Sequence, residues 1–313
     1  MIRPKVQLNL KNAREYFREH LCVGDYYAEG RTISGEWIGR GAEMLGLEGR
    51  VREKEFLDLC GGLDPRSGER LTARLNSTRV NGEAVEPNRR IFYDFTISPP
   101  KSVSVVAMYQ DSRVIELHNQ AVRVAMRELE AFAEARIRIA GLRSQRVTAN
   151  TVVACFRHDT SRELDPHLHT HCVVFNSTFD PTENRWKALE PVGMYRAQKF
   201  AENLYFHEMA KGLRGLGYEI QSSRYNFEIK GVPASVIARF SKRHQQIDEE
   251  AARLIAREGD SGNVAELREH IAQSKRRRKQ ENSTAARLRS TWRMELLPQE
   301  RKALAELRNR SPV

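Results

Sequence analysis

The stretch TVVACFRHDTSRELDPHLHTHCVVFNS, residues 151–177, decides how the rest of the chain is read. Its two ends, TVVACFRH (151–158) and LHTHCVVFNS (168–177), are short, apolar and β-branched, as strands are. Between them DTSRELDPH carries enough turn formers to join the two as an antiparallel pair. Four of the nine histidines fall between His158 and His171, where chance places about 0.4. His169 and His171 are two residues apart, so a strand points both rings to one face. His158 closes the preceding strand and comes level with them once the strands pair. Three imidazoles then converge on one point and leave positions open for substrate oxygens or water, as a catalytic metal requires. His167 shares that face but follows Pro166 at the turn, and reads as a fourth nitrogen or an exposed side chain. Imidazole donors suit zinc, nickel, manganese or iron, so the ligands alone do not name the ion.

Working towards the N-terminus, RIFYDFTIS (90–98) alternates residue by residue and reads as another strand, with Tyr93 and Phe95 on one side and Asp94 on the other. A carboxylate among aromatic residues has to be paired, hydrogen-bonded or functional. Asp94 could draw the proton from a nucleophile, or hold a ligand imidazole by its second N–H. PPKSVSVVAMY follows and is ambiguous between strand and helix; its Lys101 suits a phosphate contact or a solvated loop. Beyond Ser112 the spacing of Ile115, Val122, Leu129 and Phe132 predicts a helix reaching about Ile139. Three tyrosines lie near the start: Tyr16, in a helix predicted from about Asn9 to Gly24, and Tyr26 and Tyr27 in GDYYAEG. A phenol with a pKa of about 10 is a weak nucleophile until a base or a nearby cation activates it. After GEWIGRGAEMLGL comes VREKEFLDLCGGL, a short helix ended by Gly61 and Gly62, and then a turn-rich segment with Asn81-Gly82.

Towards the C-terminus, 194–217 reads as a helix, 218–231 as a strand pair, and the rest from Pro233 as charged helices carrying the basic run KRRRK (275–279). The chain of 313 residues has a net charge of +11 and a pI near 9.7, which predicts a polyanionic partner. From Ala234 to Val313 there are 18 Lys plus Arg against 11 Asp plus Glu, more than half of the excess in a quarter of the chain. Four dispersed cysteines form no CxxC, and no signal peptide or bilayer-length apolar run is visible, so cytoplasm is the expected compartment. The pattern is α+β: a mainly antiparallel sheet with flanking helices over 1–232, then a basic helical region over 233–313.

GDYYAEG, WIGRGAEMLGL, YDFTISPPKSVSV, HDTSRELDPHLHTH and NRWKAL together resemble the MobF-type conjugative relaxases of the HUH endonuclease superfamily, in order from about Ala13 to Gly231. The resemblance implies a five-stranded antiparallel sheet with a helical lid over DNA. It implies that His158, His169 and His171 bind a divalent metal, with magnesium or manganese usual in the family and zinc or nickel compatible with the ligands. Asp94 corresponds to the acid beside the nucleophile, Tyr16 to the first catalytic tyrosine, and Tyr26 and Tyr27 to the second pair. Such proteins nick one strand at a transfer origin, keep a 5′-phosphotyrosine link, leave a 3′ hydroxyl and travel with the strand. The partners implied are single-stranded DNA with its origin hairpin, relaxosome proteins and type IV secretion coupling proteins, and the expected state is a monomer. Two departures stand out. Phe17 replaces the second tyrosine of the first pair, and the gap to Tyr26 is long. Family proteins often carry a helicase downstream, and no GxxxxGK[ST] phosphate loop occurs here, so the chain reads as a relaxase domain cut from a longer protein or as a short member.

Three other readings compete. A rolling-circle replication initiator shares the metal site, but there the HxH normally precedes the tyrosine. A non-haem iron oxygenase would use two histidines and a carboxylate, and leaves the basic charge and the tyrosines unexplained. A non-catalytic DNA-binding module would keep the fold without needing the nucleophile.

Overall fold

The computed structural model describes residues 1–8, 10–18, 35–72, 90–161, 163–223, 226–258, 263–274 and 285–308. Tyr26, Tyr27, the Asn81-Gly82 turn and the KRRRK run lie outside them. In chain order come β1 (Ile2–Gln7), α1 (Leu10–Tyr16), β2 (Glu36–Ile38), α2 (Arg40–Met44), α3 (Glu53–Gly61), β3 (Phe92–Ile97), α4 (Lys101–Tyr109) and α5 (Arg113–Glu130). Next are β4 (Glu134–Ile139), β5 (Leu142–Val147), β6 (Val153–Thr160), β7 (Pro166–Phe175), β8 (Thr178–Asp180), β9 (Arg185–Lys187), β10 (Leu189–Glu190) and α6 (Val192–Gly215). Then follow β11 (Ile220–Ser222), β12 (Phe227–Ile229), α7 (Ala234–Arg239), α8 (Lys242–Glu258), α9 (Val264–Ser274), α10 (Ala285–Glu295) and α11 (Pro298–Ala305).

A five-stranded antiparallel sheet in the order β1-β3-β7-β6-β2 forms the centre, as the α+β reading expects. Alternation gives each central strand two faces. Tyr93, Phe95, Ile97, Leu168, Cys172 and Val174 point into the larger core, shared with α4, α5 and α6. Phe92, Phe156, Val173 and Phe175 point the other way, into a second core with Phe17, Trp37, Phe56 and Leu59. The strand pair read from 151–177 is present, with Phe156 opposite His171 and His158 opposite His169. Beyond His158 the register shifts before Thr160 meets Pro166, a bulge at the histidine end of the hairpin.

Two sequence expectations are corrected. The helix read to Ile139 stops at Glu130, and residues 134–147 are the β4–β5 hairpin instead. Glu130 cannot continue the helix freely, because its buried carboxylate accepts from Thr151 N (2.8 Å) and Arg40 N (2.9 Å). Ala140 and Gly141, both with positive φ, then form a two-residue turn of the kind that suits a twisted hairpin. The segment PPKSVSVVAMY, ambiguous in sequence, is helix α4. Residues 102–108 are all buried, so no polar face remained to reveal a helical period. Both edge strands, β1 and β2, escaped notice because one is polar and exposed and the other has three residues.

The C-terminal helices join the larger core through Leu288, Trp292, Leu296 and Leu304. They also grip the β6–β7 turn: Trp292 Nε1 donates to Leu164 O (2.7 Å), and Asp165 accepts from Lys242 N (3.0 Å) at the start of α8. Among the described residues, no helix is long and apolar enough to cross a membrane.

Candidate active site

One face of the sheet is divided along its length. At one end Phe92, Phe156 and Phe175 pack with Phe56 at ring spacings of 5.0–6.0 Å. Two residues on from Phe92 and Phe156 come Asp94 and His158, while on β7 Val173 intervenes before His171, opposite Thr96, and His169, opposite His158. Tyr16 and Phe17 straddle the boundary. Phe17 is buried 4.4 Å from Phe56, while Tyr16 lies 5.9 Å from Phe92 and extends its hydroxyl to the polar end. The departure YF from a tyrosine pair therefore has a local cause: a hydroxyl at 17 would enter an aromatic core with a desolvation penalty.

The Tyr16 hydroxyl donates to Asp94 Oδ2 in a short hydrogen bond, and lies 3.3 Å from His171 Nδ1. The same Asp94 oxygen is 2.8 Å from His171 Nδ1. An ionised carboxylate only accepts, so that nitrogen carries the proton, leaving Nε2 with its lone pair. His169 is set the same way, because its Nδ1 is 2.9 Å from the carbonyl of His167, which also only accepts. Both ligand candidates are thereby fixed in one tautomer by neighbours of their own sheet. Burial pushes the Asp94 carboxyl up, but the hydrogen-bonded His171 beside it, the Tyr16 hydroxyl and Lys5 outweigh it and hold it below the usual carboxylate range. Burial, with the other imidazoles, pushes His169 well down and favours the neutral, ligating form.

His158, His169 and His171 form a nearly equilateral triangle, with ring centres 5.2, 5.2 and 5.3 Å apart. A nitrogen about 2.1 Å from an ion puts its ring centre about 3.2 Å away, so tetrahedral angles separate the rings by about 5.2 Å. The spacing and donor set fit one metal. No finished cage of three or more His, Cys, Asp or Glu side chains stands among the described residues, however, so the rings must turn to bring their nitrogens to one point. His167 stacks on His169 at 4.7 Å and contributes its carbonyl.

Sequence reasoning missed two contributors. Thr96, two residues beyond Asp94 on the same face, places Oγ1 3.2 Å from His171 Nδ1. The i, i+2 spacing from Asp94 was its available signal. On the opposite face, buried His118 joins Tyr205 (2.7 Å) to Thr170 (2.8 Å), between the two ligand histidines; burial pushes its pKa down to about 3. Lys101 starts α4 and is half-buried, so it is not a solvated loop residue. Its ammonium donates to Pro166 O (2.9 Å), tying α4 to the start of β7, and burial pushes its pKa down to about 8 against the pull of Asp165 and Glu228.

A five-stranded antiparallel sheet with this histidine, carboxylate and tyrosine arrangement defines a relaxase domain. The chain belongs to the TrwC relaxase family, whose model matches residues 10–298. It is 36% identical over 263 residues to the multifunctional conjugation protein TraI of Escherichia coli K12, and 35% identical to a second E. coli TraI. Those matches take in 79% of this chain but 14% of the relatives' length. Among solved structures, a copper-bound conjugative relaxase TrwC in complex with OriT DNA aligns with a TM-score of 0.79 at 33% identity, over 97% of this chain and 99% of that one. Metal-bound and metal-free TrwC–OriT DNA complexes align at 0.77 and 0.76, each at 32% identity and over 98% of both chains.

Proposed function

We propose that this chain nicks one DNA strand at a conjugative transfer origin by tyrosine transesterification, with Tyr16 as nucleophile. The observation that carries the reading is the Tyr16 hydroxyl on Asp94, which also orients His171. In the step, Tyr16 Oη bonds to the scissile phosphorus and the bond to the 3′ oxygen breaks. The products are a 5′-phosphotyrosine and a 3′ hydroxyl: the phenolic proton moves onto Asp94, and the departing 3′ oxygen takes a proton from solvent. An ordinary phenol is a far weaker acid than a carboxylic acid, and Asp94 is held below even the usual carboxylate range. Proton transfer ahead of attack is therefore too costly, and it accompanies formation of the P–O bond.

His158, His169 and His171 would hold the divalent ion, taken as magnesium or manganese, with zinc and nickel as comparators. When bound, that ion draws charge from the phosphate oxygens. Residues 1–232 act as the catalytic core and 233–313 as a basic DNA lid; the grip of Trp292 and Lys242 on the β6–β7 turn supports that division of labour. Tyr26 or Tyr27 would serve the reverse transfer. The substrate is single-stranded DNA beside an origin hairpin. On this reading the chain works in the bacterial cytoplasm as a monomer with relaxosome and secretion-coupling proteins, and passes to the recipient with the strand.

The test is a covalent-adduct assay on a denaturing gel. Single-stranded oligonucleotides tiled across the transfer region of the chain's own genetic element are offered with Mg²⁺, Mn²⁺, Zn²⁺ or Ni²⁺, or with EDTA. A metal-dependent protein–DNA band that chelation removes is expected. No band with any ion, while DNA is still bound, would show a non-catalytic binding module.

A further inference from the structure

The face of the sheet turned away from the histidine cluster carries a polar chain that the nicking step does not use. On β7, alternation sends His169 and His171 to the site and Leu168, Thr170 and Cys172 to the larger core. Leu168 and Cys172 pack there among hydrocarbon, whereas the buried Thr170 between them presents a hydroxyl. That hydroxyl lies 2.8 Å from Nε2 of His118, and Nδ1 of His118 lies 2.7 Å from the hydroxyl of Tyr205. His118 belongs to the buried face of α5, with Val114, Ala121 and Val122, and Tyr205 to that of α6. Burial keeps the imidazole neutral, its pKa pushed down to about 3, so one nitrogen donates, the other accepts, and either tautomer satisfies both hydroxyls. Such a chain adds little net stability, because apolar groups of similar shape would fill the space without desolvating anything. What it adds over hydrocarbon is direction: the hydrogen bonds fix one distance and one orientation between α5 and β7.

The strand needs fixing at this place. Beside His169 the β6–β7 ladder is interrupted, since the register shifts between His158 and Thr160. Helices on the far side of the sheet take over. Lys101 holds the Pro166 carbonyl, the Ser104 hydroxyl accepts from Leu168 N (3.1 Å), and His118 holds Thr170. The first two anchors grip the backbone; His118 grips the side chain that stands between the two candidate ligands. A roll of β7 about its own axis turns Thr170 and both flanking rings together, so a hydrogen bond that stops Thr170 from turning also stops His169 and His171. Functional constellations tolerate displacements of only about 0.5 Å.

We propose that His118, backed by Tyr205, is a positioning residue for the metal centre: through Thr170 it sets the placement of His169 and His171, and with it the affinity and geometry of the ion they hold. The proposal rests on the reading of His158, His169 and His171 as ligands, and deepens it by giving a role to a residue on the opposite side of the sheet.

Three substitutions test the link. Thr170→Val keeps a β-branched side chain and removes the hydroxyl, His118→Leu removes the imidazole, and His118→Gln returns an amide that can reach Thr170. Each is made in the full chain and titrated with Co²⁺ well below its melting temperature. Calorimetry gives the affinity, and the visible spectrum of the bound ion reports its geometry. Thr170→Val and His118→Leu should each bind Co²⁺ about 10-fold more weakly than the native chain, with an altered spectrum, while His118→Gln should stay within about 3-fold. The double variant His118→Leu/Thr170→Val should be no weaker than either alone, because both changes cut one link. A role in packing alone would lower the melting temperature and leave the affinity and spectrum of the folded chain untouched, and that result overturns the proposal. Losses that multiply in the double variant overturn it too. Should His118→Leu not fold, Thr170→Val and His118→Gln decide. His169→Ala separates the two readings. Co²⁺ held there as tightly as by the native chain defeats the ligand assignment and the proposal with it; binding lost there but intact in Thr170→Val defeats the proposal alone.

Discussion

The two ends of one sheet face follow the same alternation and differ only in what the alternate residues are. At the aromatic end, Phe92, Phe156 and Phe175 close around Phe56 and Phe17, and nothing but packing is at stake. At the polar end, on the same three strands, Asp94, His158, His169 and His171 stand where further aromatics would have continued the core. The aromatic end gives the polar end its precision. Phe17 is clamped in the core, so the residue before it is delivered to Asp94 with little freedom, and orientation of this kind is a large share of what catalysis needs. The division also explains why the carboxylate stays ionised while buried: its neighbours on the same face are donors, where two residues back they are hydrocarbon.

Substitutions at the boundary test that division, and the largest effect is expected at Tyr16. Tyr16→Phe keeps the ring on Phe92 and removes only the hydroxyl, so the adduct should fall by more than about 10³-fold with little change in melting temperature. A full yield of adduct from that variant would move the nucleophile to Tyr26 or Tyr27. Phe17→Ala is the complementary change. It should destabilise the fold by about 3–4 kcal/mol in denaturant titration, and the folded fraction should still make adduct slowly because Tyr16 has lost its clamp. Adduct formation at the native rate would show that the aromatic end does not position the nucleophile.

Asp94→Asn comes next. An amide can accept from His171 or donate to it, so the tautomer is no longer enforced, and metal affinity measured by calorimetry should drop about 10- to 100-fold. Unchanged affinity would separate Asp94 from the metal site and leave it a role at Tyr16 alone. The smallest effect expected is at the seam beneath the polar end, at Lys101. Its folded pKa near 8 lies below the ordinary 10.5, so between those values the unfolded chain binds more protons and stability rises with pH. Lys101→Met removes the term. The stability of the variant relative to the native chain should therefore fall by on the order of 2 kcal/mol between pH 7.5 and pH 10.5. A difference that stays flat over that window would mean the ammonium is solvated.

What the sequence determined by itself follows from local periodicity. Strand alternation set His169 and His171 on one face, kept Asp94 apart from Tyr93 and Phe95, and made the histidine pair legible as a metal-binding pattern. The order of the tyrosine, aspartate and histidine motifs was enough to point to the family. The reading failed in two ways: α4 is buried on every side and hides its period, while the alternation of Ala135, Arg136, Ile137 and Arg138 was visible but was overrun by extending the preceding helix.

Tertiary structure alone decided the pairings. That His158 sits opposite His169, that Tyr16 reaches Asp94 across 78 positions of chain, and that Phe17 is the clamp beside it all depend on strand register and on which helix closes over which face. Such contacts form because burying the aromatic end repays the ordering of distant segments, and no local pattern encodes which segments those are.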